Sequence, residues 1–153
     1  MENIEYRVLG AVEARLDGQV ADLGPPKQRA VLAVLVLNAG GLVSSDRIVE
    51  AVWGDRPPRT AAHSVQIYVS GLRGALEALS DEPAILTTPP GYTLRAAPGA
   101  IDADRFERLI DDARATLEAE PDRAAQLAKE ALELWRGAPL ADLAHAEFAR
   151  EPA

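Results

Sequence analysis

Between Asp55 and Glu77 the chain carries no acidic side chain, although its net charge is −8. Within that gap Val65, Val69, Leu72, Leu76 and Leu79 recur at spacings of 3 and 4, inside about 80° of arc at roughly 100° per residue. The spacing predicts a helix over 61–79 with one buried stripe and an opposite face clear of negative charge as far as Glu77. That face holds His63, Gln66, Ile67, Ser70, Arg73 and Gly74. Arg56, Arg59 and Arg73 give residues 56–76 a local +3, and local charge is what a polyanion meets first. Side chains that donate, accept and touch a methyl group suit major-groove readout. The segment LTTPPGYTL then reads as two short strands about a tight turn, a candidate wing. A helix followed by such a hairpin points to a sequence-specific DNA-binding module of the winged-helix type.

The remaining punctuation fills in that frame. IEYRVLGAVEARLDG reads as a strand, with Ile4, Tyr6 and Val8 on one side, closed by the turn pair Asp17–Gly18, and QVADL as a short second strand. Pro25 and Pro26 stop the strand and open a helix over KQRAVLAVLVLNAGG, in which Val31, Leu32, Leu35 and Val36 form a broad apolar surface. In LVSSDRIVEAVWG, Ser44 or Ser45 is placed to cap an amphipathic helix bearing Ile48, Val49, Val52 and Trp53, which Gly54 closes. Thr60 is placed to cap the helix that follows.

Pro98 and Gly99 mark a boundary, giving expected domains over 1–97 and 98–153. Residues 1–95 hold 9 Lys+Arg against 11 Asp+Glu, whereas 96–153 hold 7 against 13, so the second part is the more acidic. There Phe106, Leu109, Ile110, Ala113 and Leu117 share one helix face. After Pro121, Leu127, Ala128, Ala131, Leu132 and Trp135 share another and are expected to point inward. Two helices and a short turn make an αα hairpin, which needs a neighbour to cover its apolar faces.

Other classes find little support. The two histidines, His63 and His145, lie in different expected domains, and no HExxH, GxSxG, P-loop or GxGxxG occurs. The acid pairs Asp102/Asp104 and Asp111/Asp112 suit helix N-terminal and surface positions. No enzyme, cofactor or metal site is expected. With no cysteine, no leader-like N-terminus and no apolar run near ~18 residues, the chain is expected to be soluble and cytoplasmic, with no membrane partner.

The order GPPKQR, AVWGD, VQIYVSGLRGAL and TTPPGYTL resembles the Streptomyces antibiotic regulatory protein (SARP) family of actinobacterial transcription activators, a resemblance that covers residues 4–95. DADRF and LWRGAPLADL resemble the opening of that family's bacterial transcriptional activation domain. The resemblance implies an α+β winged helix-turn-helix (N-terminal antiparallel sheet, three helices, C-terminal β-hairpin wing) followed by an all-α, TPR-like helical hairpin. It also implies that the chain is truncated or a short form. The implied function is activation of secondary-metabolite biosynthesis genes by a protein bound to double-stranded promoter DNA as a dimer on direct repeats, recruiting RNA polymerase. Gly71 and Gly74 depart from the family pattern, where arginine is frequent.

The expected DNA contacts are Arg59, Thr60, His63, Gln66, Ile67, Ser70 and Arg73 on or before the long helix, Lys27 and Arg29 near an earlier helix start, and Thr87 and Thr88 on the wing. Six of them have a plainer role beside DNA contact: Arg73 and His63 as solvated surface groups, Ile67 as a half-buried aid to the core, Arg29 as a partner of Asp46, and Thr87 and Thr88 as strand formers. Trp53 and Trp135 are expected to be core anchors. A winged helix that docks protein and has no operator of its own is the alternative function.

Overall fold

The computed structural model describes residues 3–138 and residue 140. The Asp17–Gly18 pair forms the expected turn, with φ of 53° and 81°, and joins β2 (Glu13–Leu16) to β3 (Gln19–Val20). Upstream, the single strand expected from the sequence is two. β1 covers only Glu5–Arg7, and the chain reverses about Gly10, whose φ of 140° suits a residue without Cβ. β1 and β2 then pair antiparallel, Tyr6 opposite Ala14, in a sheet of order β1-β2-β3. The alternation holds: Ile4, Tyr6 and Val8 are all buried.

α1 (Pro26–Leu37) starts on its proline and buries every residue from Ala30 to Val36. It is the central helix, packed on α2 (Ser45–Trp53), α3 (Ala61–Glu77) and the wing. The Ser44 hydroxyl caps α2 by accepting from the Arg47 amide at 3.1 Å. Just before it, Val43–Ser44 forms β4, a strand absent from the sequence expectation. α3 buries Val65, Val69, Leu72 and Leu76 as its spacing predicts and ends two residues earlier than expected. Thr60 occupies the cap position, yet its side chain makes no capping hydrogen bond.

The wing is β5 (Ile85–Thr88) and β6 (Gly91–Leu94) about a cis Pro89–Pro90 bond. β4 adds to β6, so the second sheet runs β4-β6-β5. Gly91 faces Ser44 across this pairing, where any Cβ would overlap the Val43 carbonyl oxygen and Ser44 Cα.

α4 (Asp102–Thr116) and α5 (Pro121–Glu133) pack on each other as the expected hairpin. Ala124, Leu127 and Ala131 are buried. Leu132 and Trp135, expected to face inward, are 64% and 37% exposed, and Leu117 is 58% exposed, because two helices alone cover only one stripe of each other. Trp135 is no core anchor: it meets Phe106 edge to face, with ring centroids 5.4 Å apart.

The two parts are fastened through β1. The Tyr6 amide donates to the Ala100 carbonyl at 2.8 Å, and Tyr6 bridges to Ile101. Asp102, expected at a helix start and on the surface, does open α4 but is only 2% exposed. Its carboxylate accepts from the Val8 amide at 2.8 Å and the Leu9 amide at 3.0 Å, so donors that the strand leaves unpaired at its end are satisfied. The Arg136 and Leu140 amides donate to the Leu9 and Val8 carbonyls, and the Arg136 guanidinium reaches Glu13 Oε2 at 2.9 Å and the Ala11 carbonyl at 2.7 Å. Arg105 pairs with Glu5 at 3.2 Å. None of the described helices is long and apolar enough to cross a membrane.

Candidate nucleic-acid interface

With Val65, Val69, Leu72 and Leu76 held in the core, helical geometry turns His63, Gln66, Ile67, Ser70 and Gly74 to the surface, and all five are exposed. Ile67 is 54% exposed, so a role in the core does not account for it. An apolar side chain stands in the middle of a polar face. Arg59 and Thr60 are exposed in the loop leading into α3. Thr60 supplies no capping acceptor, and the Ala61 amide that opens α3 donates instead to the Pro58 carbonyl at 3.0 Å, at the positive end of the helix dipole.

Arg73 is the residue whose placement departs most from a free surface cation. It is half-buried. Its Nε donates to the Ile85 carbonyl at 3.1 Å, its Nη2 donates to Thr87 Oγ1 at 2.6 Å, and its guanidinium carbon lies 5.8 Å from the centroid of the Tyr92 ring. Two side chains expected to reach DNA separately, Arg73 and Thr87, are thus bonded to each other between α3 and the wing. Thr88 is half-buried and pairs with Gly91 at the base of the wing turn.

The residues at the start of α1 also have seats within the protein. Lys27 is exposed, with Nζ 5.6 Å from the centroid of the Trp53 ring, and Trp53 stacks on Tyr68 at 6.4 Å. This stack ties α1, α2 and α3 together and gives Trp53 the anchoring role expected of it. Half-buried Arg29 donates to the Gly24 carbonyl at 2.9 Å, which fastens the loop that enters α1.

The two glycines on the outer part of α3 have different reasons. A Cβ on Gly71 would fall on the end of the Gln28 side chain, whose Nε2 donates to the Leu23 carbonyl at 3.1 Å. Among the described residues nothing lies within 4 Å of the corresponding position on Gly74. Gly71 therefore leaves room for the end of the Gln28 side chain, whereas Gly74 leaves open space on the exposed face. Tyr92 and Gln28, the partners of Arg73 and Gly71, were not singled out by sequence. The absent side chain at position 71 was the one signal pointing to Gln28.

Over residues 18–94 the chain matches the family described as "Transcriptional regulatory protein, C terminal", and over residues 101–153 the "Bacterial transcriptional activator domain". Transcriptional regulatory protein MoaR1 of Mycobacterium tuberculosis is 35% identical over 144 residues, which cover 92% of this chain and 46% of that protein. Regulatory protein AfsR of Streptomyces coelicolor is 36% identical over 140 residues, 90% of this chain and 14% of that protein. A solved structure of Mycobacterium tuberculosis EmbR in complex with a low affinity phosphopeptide is similar with a TM-score of 0.92 and 33% identity, over 98% of this chain and 40% of that one. The chain thus spans less than half the length of these relatives. A winged helix of the transcriptional regulatory type, joined to a bacterial transcriptional activator domain, places the chain in the SARP family of transcriptional regulators.

Proposed function

We propose that the chain binds promoter DNA by laying α3 in the major groove, where Gln66, Ile67 and Ser70 meet base edges, and that it acts as an activator of secondary-metabolite genes. The observation that carries this is the outer face of α3, free of acid from Ala61 to Leu76, on which an amide, a hydroxyl and an exposed isoleucine stand side by side. An amide pairs with adenine, a hydroxyl with several bases, and an apolar side chain with the thymine methyl. Arg59, Thr60, His63 and the positive N-terminal end of α3 are placed to meet phosphate, which sets register without reading sequence. Lys27, Arg29 and Thr88 are the outlying members of this set, each with a contact to another part of the protein. Two protomers on direct repeats, and recruitment of RNA polymerase through the helical hairpin, complete the proposal. The match to an activator domain and the exposed Leu117, Leu132 and Trp135 support the second of these.

The test is selection of bound duplexes from a random pool, followed by affinity measurement at several salt concentrations. A recovered repeat whose affinity falls steeply with salt supports operator binding. No motif and no low-salt binding would leave a protein-docking winged helix as the function. Once an operator is in hand, Gln66→Ala is expected to cost ~1–3 kcal/mol and to relax preference at one base position, checked by repeating the selection. Gly74→Arg is expected to strengthen binding and to steepen the slope of log K against log salt by ~0.9, the value for one added phosphate contact. The open space around Gly74 and the better helix propensity of arginine both permit the change. An unaltered slope would place Gly74 away from the duplex.

A further inference from the structure

We infer that Arg73 is a positioning residue that sets the angle between α3 and the wing, and that it neutralises no phosphate of its own. The inference rests on the major-groove placement of α3 proposed above. Three contacts converge on its guanidinium, and all belong to the wing: the Ile85 carbonyl on β5, the Thr87 hydroxyl on β5, and the Tyr92 ring on β6. Ile85 and Tyr92 lie on paired strands, with Thr87 directly opposite Tyr92. One planar group therefore grips both strands of the hairpin, two donors in its plane and an aromatic ring within cation–π range.

The arrangement spans a gap that the backbone leaves open. α3 ends at Glu77 and β5 begins at Ile85, so the connection between them does not by itself fix the direction of the hairpin. Leu72 and Leu76 hold the neighbouring part of α3 in the core, and Ile85 and Leu94 hold the base of the wing. Arg73 ties the two beyond that core, at the exposed Thr87. A cation already donating to a carbonyl and a hydroxyl would have to give up those bonds to turn toward phosphate. The positive charge stays at the junction, and its effect on DNA passes through the geometry of the wing.

The experiment compares wild type, Arg73→Met, Thr87→Val and the double variant, all in the full chain. Amide hydrogen exchange in the absence of DNA comes first. Arg73→Met and Thr87→Val are each expected to speed exchange of the β5 and β6 amides at least several-fold, with little change in α1 and α2. Wing exchange unaltered in Arg73→Met would overturn the inference whether or not the protein binds DNA.

Binding is then measured on a duplex recovered by the selection. Arg73→Met is expected to weaken binding about tenfold with the wild-type salt slope and the wild-type preferred motif. Thr87→Val, which removes no charge, is expected to weaken it several-fold. The double variant is expected to be no worse than Arg73→Met, as for two residues acting through one contact. A salt slope lowered by ~0.9 in Arg73→Met would show a direct phosphate contact, and relaxed preference at one base would show a base contact. Either result overturns the inference. Wild type that selects no motif sinks the proposed function instead, and the exchange result still decides the role of Arg73.

Discussion

Asp102→Ala is expected to lower the unfolding free energy by about 2–5 kcal/mol. The variant leaves the Val8 and Leu9 amides, which now share the two carboxylate oxygens, buried without an acceptor, and each such donor costs ~1–3 kcal/mol. Val8 and Leu9 are only 2% and 5% exposed, so water has poor access to replace the lost partner. Asp102→Asn keeps one carbonyl oxygen and is expected to lose less, since one of the two amides is still served. Urea unfolding of the full chain measures both. An alanine variant within about 0.5 kcal/mol of wild type, the range of an ordinary surface change, would mean that the junction opens enough for solvent to satisfy the strand end.

Gly91→Val should be nearly as severe, at about 3 kcal/mol. The obstacle here is backbone: the Val43 carbonyl oxygen and Ser44 Cα occupy the place of any Cβ, and neither swings aside as a flexible side chain does. The β4–β6 pairing has to open, which removes β4 from the sheet and disturbs the entry to α2, whose cap is Ser44. Overpacking a well-filled site costs typically ~1–3 kcal/mol, occasionally more, and the lost pairing adds to that. Thermal unfolding and the exchange rates of the Val43, Ser44 and Gly91 amides report the two parts separately. A variant with wild-type melting temperature and intact protection would show that the two strands stand further apart in solution.

Much of this fold was legible because its signals are local. Pro26, Asp17–Gly18, Gly54 and the Pro89–Pro90–Gly91 turn punctuate the chain where the structure does, and the stripe from Val65 to Leu76 is the one that is buried. The outward face of α3 followed from the same spacing. What escaped depends on distant partners. β4 is two residues long and exists only because β6 lies beside it. Asp102 looked like a helix-start acid, and its amide partners lie more than 90 positions away in sequence. Arg73 looked free because Ile85, Thr87 and Tyr92 become its neighbours only when the wing folds back. The inward placement expected of Leu132 and Trp135 failed for the converse reason: periodicity shows an apolar stripe but not whether anything covers it.

The attachment through β1 has a further consequence. Strand pairing at Tyr6, the buried carboxylate of Asp102 and the Arg136 bonds all cross from one part to the other, so the helical hairpin is carried as a bracket on the winged helix. If α3 sits in the groove as proposed, the hairpin points to one azimuth of the duplex, and moving the binding site moves that azimuth with it. A displacement of about 5 bp, half a turn of DNA, carries the bracket to the far side. One of about 10 bp brings it back. Whatever protein the hairpin touches is therefore selected by helical phase along the promoter as well as by distance.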